Sequence, residues 1–159
     1  MQDCDVQQGL SFEIKIDKEG VWYYNGAEMF RKEILDIFFQ HLKRDEDGRY
    51  YIEMGREICY LKVEDTPIVV KSVHDGTETG EQDLIIRLSD SNYEKINLES
   101  LRIGEDNVLY CDLYRGFPAR FTRAAYYQIA EKIQYDEDNG YYIQANGRKY
   151  YIKENIGGE

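Results

Sequence analysis

The sequence has 159 residues, room for one domain or two small subdomains, and a chain of this size buries about 70% of its unfolded surface without needing a staple. Hydrophobic content of 42%, with 14% aromatic, excludes wholesale disorder, and no apolar run reaches the roughly 20 residues of a membrane-spanning helix. A net charge of −11 opposes nucleic acid and anionic lipid as partners.

Phe12 to Ile16 alternates apolar and polar residues and predicts a strand. Asp17-Lys18-Glu19-Gly20 turns the chain, Val21–Tyr24 returns as a second strand, and Asn25-Gly26 ends it. Phe30, Ile34, Leu35, Phe38 and Leu42 then fall at helical spacing, and Asp45-Glu46-Asp47-Gly48 is read as the end of that helix. Two strands, 49–54 and 57–63, follow around Gly55-Arg56. Pro67 opens a middle segment with a hairpin of 68–73 and 83–88 across the polar loop 74–82, expected to be mobile. Short strands or turns are expected over 92–98 and 101–103, and a strand over 108–113. Residues 115–121 run extended, with Thr122 as the cap of a second helix reaching about Ile133 and burying Ala125, Ile129 and Ile133. Residues 141–145 and 148–153 form a last hairpin about Asn146-Gly147, and Gly157-Gly158-Glu159 is a tail.

The chain says nearly the same thing twice. Residues 45–62, DEDGRYYIEMGREICYLK, return as DEDNGYYIQANGRKYYIK at 136–153, and Arg31 and Arg123 each open the preceding helical stretch. Two copies spaced by about ninety residues predict a duplicated unit rather than a solenoid. The expected fold is α+β, two tandem subdomains, 1–66 and 67–159, each with a helix followed by an antiparallel β-hairpin.

The stretch GVWYYNG at 20–26, with Arg31, Phe38, Leu42 and the DEDGRYYI turn, resembles the bacterial family of domain of unknown function 1285. GFPARFTRAAYY at 116–127 resembles that family's second signature, and the resemblance spans about residues 12–155. One departure is Met54-Gly55-Arg56-Glu57, where the family tends to have a proline before the glutamate. The resemblance implies a soluble bacterial protein with repeated α+β motifs, and it supplies no catalytic residues.

Three cysteines without CxxC spacing predict reduced thiols, with Cys59 as a small core residue, and a cytoplasmic location. The first fifteen residues lack both a basic start and an apolar stretch, so no secretory signal is expected. His41 and His74 lie far apart without ligand spacing, and the DED turns lack the glycine and glutamate positions of a calcium loop, so no metal or cofactor is expected. No phosphate-binding loop, GxGxxG or GxSxG is present, and no catalytic residue is singled out.

Two residue types invite a functional reading. Fifteen tyrosines, several in adjacent pairs, suit cross-strand packing with one ring in and one out, and they also suit an interface, so a homodimer is expected. Arg31, Arg120 and Arg123 near helix starts suit carboxylate or phosphate, or else ion pairs with strand acids such as Glu57 or Glu64. The first reading is a non-enzymatic binding or regulatory module, with signalling as a candidate role. The second is an anion sensor using an Arg cluster between the subdomains, and the third an enzyme of unknown reaction. The expected partner is a protein or a small anionic ligand.

Overall fold

The structure is a computed structural model that describes residues 4–5, 11–76 and 83–154. Of the loop expected over 74–82, residues 74–76 continue the preceding strand instead, and residues 77–82, like the tail at 157–159, lie outside the described residues. The chain divides into two compact units, Met1–Pro67 and Ile68–Glu159.

In the first unit β1 (Cys4–Asp5) pairs with β2 (Ser11–Phe12). Then come β3 (Ile14–Ile16), β4 (Trp22–Tyr24), β5 (Ala27–Glu28), α1 (Lys32–Gln40), β6 (Leu42–Arg44), β7 (Tyr50–Met54), β8 (Glu57–Tyr60) and β9 (Lys62–Val63). One sheet runs β5-β4-β3-β9 and another β6-β7-β8. The Asp17 carboxylate makes the β3–β4 turn by accepting the Glu19 and Val21 amides at 2.9 Å each and the Tyr23 hydroxyl at 3.1 Å. Asn25 and Gly26 both have positive φ, 47° and 85°, as a two-residue hairpin requires, and this turn creates β5. The core gathers Ile14, Ile16, Trp22, Phe39, Leu42, Ile52 and Leu61. Trp22 is buried as its strand and size predict, with its ring 5.9 Å from Phe38 and 5.1 Å from Phe39. Phe39 is the buried residue of α1, whereas Phe30 precedes the helix and is 78% exposed.

The second unit begins with β10 (Ile68–Gly76), β11 (Asp83–Leu88) and β12 (Tyr93–Lys95). A 3-10 turn (Leu98–Ser100) leads to β13 (Arg102–Ile103), and another (Glu105–Asn107) to β14 (Leu109–Asp112). β15 (Pro118–Phe121), α2 (Arg123–Ala130), β16 (Ile133–Asp136), β17 (Gly140–Ala145), β18 (Arg148–Tyr151) and β19 (Lys153–Glu154) complete it. The large sheet runs β12-β11-β10-β15-β14-β13-β19, and a meander runs β16-β17-β18. Thr122 caps α2 as predicted: its hydroxyl accepts from the Ala125 amide at 3.3 Å and donates to the Val70 carbonyl at 3.0 Å. Ala125 and Ile129 bury the helix against the sheet.

Both units follow one order: two antiparallel strands, a third strand, a helix, a three-stranded meander and a closing strand. Moving 91 residues along the chain carries the pair Leu42↔Ile52 onto Ile133↔Ile143, Tyr51↔Tyr60 onto Tyr142↔Tyr151, and Met54↔Glu57 onto Ala145↔Arg148. Moving 87 residues carries Ile16↔Trp22 onto Ile103↔Leu109. The closing strands pair in parallel in both, Ile16↔Val63 and Ile103↔Glu154. This correspondence corrects one sequence equivalence. Arg31 precedes α1 as Thr122 precedes α2, and it is Lys32 that matches Arg123.

Two further corrections concern the acidic turns. Each helix ends earlier than its periodicity suggests, at Gln40 and Ala130, and a strand intervenes before the turn. Leu42 and Ile133 leave the helices because each pairs across its meander, with Ile52 and Ile143. The acidic turns therefore join strand to strand. In both, the first aspartate organises the turn: Asp45 accepts the Asp47 and Arg49 amides and the Tyr60 hydroxyl, and Asp136 accepts the Asp138 amide and the Tyr151 hydroxyl. Each hydroxyl comes from a tyrosine fifteen residues on.

These bonds hold both carboxyls below the ordinary range, chiefly the Arg49 amide for Asp45 and the Asp138 amide for Asp136. A depressed folded pKa stabilises the fold above the unfolded value and ceases to do so as pH falls through the folded one. Stability is therefore expected to decline as pH drops below about 4, where unfolded aspartates take up protons. Denaturant melts across pH 2–6 check this, and the double variant D45N/D136N is expected to show a shallower acid slope.

Candidate functional site

Five segments of the second unit enclose a cleft of about 250 Å³. Its walls are the start of β11 (Asp83, Leu84), the end of β12 and the chain after it (Lys95, Ile96, Asn97), the 3-10 turn (Leu98, Glu99), Tyr114, and the β17–β18 hairpin (Ala145, Asn146, Tyr150). Local chemistry places each piece. Asn146 and Gly147 adopt positive φ, 53° and 75°, and so form the tight hairpin turn at the rim. The Ser100 hydroxyl donates to the Asn97 carbonyl at 2.7 Å and accepts the Asp112 amide at 2.8 Å, tying the 3-10 turn to β14. Tyr114 sits in a turn closed by Gly116, with φ 89°, whose amide bonds the Leu113 carbonyl. The Tyr114 amide donates to Glu94 at 3.0 Å, and burial raises the Glu94 carboxyl above its ordinary range while that bond opposes the shift.

The floor is apolar, with Leu84, Ile96 and Ala145 all buried. The rim carries charge in opposed pairs. Asp83 meets the Lys95 ammonium at 3.1 Å and the Asn146 amide at 3.3 Å. Glu99 meets Arg148 at 3.5 Å, and the Arg148 guanidinium lies 4.8 Å from the Tyr150 ring centroid. An apolar floor with a few oriented polar groups is what a small-molecule site requires.

The arginines singled out by sequence fall as follows. Arg31 lies in the first unit, exposed, and pairs with Glu33 of its own helix at 3.2 Å rather than with a strand acid. Arg120 and Arg123 lie in the second unit: Arg120 is half-buried on β15, where it pairs in register with Val69 and Tyr110, and Arg123 is exposed in the first turn of α2. Glu64 pairs with Lys15. The His41 ring donates to the Ile37 carbonyl at 2.9 Å and His74 bonds Ser72 at 2.8 Å. Among the described residues, no group of three or more His, Cys, Asp or Glu could hold a metal.

The cysteines depart from expectation. Cys59 is half-buried on β8 and disulfide-bonded, so it is neither a core residue nor a reduced thiol. It is within reach of a partner because β1 packs against β8. Cys111 is free and buried, and burial, helped by the charges of Glu94 and Asp112, pushes its thiol up to about 12, which makes it inert.

Residues 5–66, nearly all of the first unit, match the N-terminal domain model of domain of unknown function 1285, DUF1285. That match assigns residues 5–66 to the DUF1285 N-terminal domain. Two solved structures of DUF1285 family proteins share the fold. One, from Silicibacter pomeroyi DSS-3, has a TM-score of 0.73 at 19% identity, covering 89% of this chain and 79% of that one. Another, from Shewanella baltica OS155, has a TM-score of 0.61 at 21% identity, covering 74% of this chain and 90% of that one. No curated protein matches. The cleft lies wholly outside the DUF1285 N-terminal match. Among the described residues, no helix is long and apolar enough to cross a membrane.

Sequence reading did not find Asp83, Lys95, Asn146 or their neighbours. One signal was available. The two copies differ at the meander turn, Gly55-Arg56 against Asn146-Gly147, and only the second copy is preceded by the strands β10–β12. Function is most economically sought where one copy of a repeat carries something the other lacks.

Proposed function

We infer that the protein is a non-enzymatic binding module and that the cleft of the second unit is its ligand site. The observation that carries this reading is the Asp83 carboxylate, 15% exposed, held by Lys95 and Asn146 above a buried apolar floor. A carboxylate fixed by two donors from separate segments is positioned before any ligand arrives, and such preorganisation favours binding. The added strands and the second meander meet at this residue, which is where the two units differ. A regulatory role, with signalling as its setting, would follow if ligand occupancy altered the meander that bears Asn146. The support for a reducing cytosol weakens with the Cys59 disulfide, since such bonds persist mainly in oxidising compartments.

Leu98→Trp tests the site. Leu98 is half-buried at the rim, so a larger ring there obstructs the cleft with little cost to the core. Ligand-observed NMR with a fragment collection is expected to yield binders that lose their signal against this variant. Binders that respond equally to both proteins would place the site elsewhere.

A further inference from the structure

We propose that the large sheet carries a second binding site, independent of the cleft, in which Arg87, Ser72 and His74 take the phosphate group of a small molecule. β11 alternates along its length, burying Leu84, Ile86 and Leu88 on one face and leaving Asp83, Ile85 and Arg87 half-buried on the other. β10 joins that pattern only through a bulge. Its register slips between Val70, which pairs with Leu88, and Ser72, which pairs with Arg87. The one-residue slip turns Ser72 and His74 onto the face of Arg87 and returns Val73 to the core, opposite Ile86. The Thr122 cap of α2 fixes the bulge, its hydroxyl 3.0 Å from the Val70 carbonyl oxygen and 3.5 Å from that of Lys71.

The bulge assembles a set of donors. Ser72 Oγ accepts from Arg87 Nε at 3.2 Å and lies 2.8 Å from His74 Nε2. With its oxygen accepting from Arg87, the hydroxyl gives its own proton to His74 Nε2, which leaves the N–H of the neutral ring at Nδ1. Arg102, also half-buried, is held by Asp112 at 3.1 Å, whereas among the described residues no carboxylate pairs with Arg87. On a chain of net charge −11, a cation without an acid is where an anion meets least repulsion. Nε, engaged by Ser72, holds the guanidinium in place and leaves its two Nη groups to meet two oxygens of one ligand. His74 adds a donor two residues along β10 from Ser72. Donors of two kinds suit a tetrahedral group with three terminal oxygens better than a planar carboxylate with two. Tyr93 pairs in register with Arg87 and is 60% exposed, with its ring 6.3 Å from that of His74. An aromatic surface therefore adjoins the donors and suits the body of a phosphomonoester.

The test is a backbone-amide NMR titration of the full chain with phenyl phosphate, inorganic phosphate and benzoate. Phenyl phosphate is expected to shift Ser72, His74, Arg87 and Tyr93 and to bind at least about tenfold more tightly than benzoate. Phenyl phosphate binding more tightly than inorganic phosphate assigns the site to a phosphomonoester, and inorganic phosphate binding as tightly or more assigns it to the free ion; both uphold the phosphate site. Arg87→Lys keeps the charge without the fork, and Ser72→Ala releases the guanidinium. Each is expected to weaken phenyl phosphate by about tenfold while the spectra remain those of the native fold. Benzoate binding as tightly as phenyl phosphate, both variants binding like the wild type, or no shift at these four residues overturns the proposal. Shifts centred instead on Leu98, Ala145 and Tyr150 would also overturn it, yet would uphold the cleft as a ligand site.

Discussion

Trp22→Ala is expected to destabilise the first unit by about 3–5 kcal/mol, the range for removing a large buried ring. Trp22 is 2% exposed and packs against two aromatic rings of α1, so truncation leaves a void beneath the helix that Phe38 and Phe39 cannot fill without moving. Denaturant titration by circular dichroism measures the loss. Because Trp22 is the only tryptophan, native emission is also expected to be blue-shifted and shielded from iodide. A loss below about 1 kcal/mol, as for an ordinary surface substitution, would contradict the packing.

Leu109→Ala is expected to cost the second unit about 2–5 kcal/mol. Leu109 occupies in β14 the pairing position that Trp22 occupies in β4, and it is 1% exposed. At the helix positions equivalent to Phe38 and Phe39 the second copy has Ile129 and Ala130. The second copy therefore carries aliphatic side chains where the first carries aromatic ones. The same titration monitors it, and a tolerated Leu109→Ala would count against equivalent cores.

The repeat was legible because its signals are local. Paired tyrosines, an acidic turn and a two-residue hairpin turn recur in order, and each needs only neighbours along the chain. What escaped depends on distant partners. Leu42 sits four residues after Phe38 and fits the helical stripe, and only pairing with Ile52 makes it a strand residue. β5 has two residues and exists because Asn25-Gly26 turns the chain back onto Tyr23 and Tyr24. The tyrosine alternation holds at Tyr141 and Tyr142, one exposed and one buried, but Tyr50 and Tyr51 are both half-buried. The cleft was the least legible part. Its walls come from segments between residues 83 and 150, none of which carries a motif alone. Arg31, Arg120 and Arg123 stand out because they fall near helix starts, whereas Asp83 is one acid among 31 Asp and Glu.

Chemical-shift mapping with the tightest ligand found tests most directly whether the cleft is the binding site. The largest amide shifts are expected at Leu84, Lys95, Leu98, Ala145 and Tyr150, with the Gly55-Arg56 turn of the first unit unmoved. Shifts centred instead on Arg120 and Arg123 would contradict this account and favour an anion site at the start of α2.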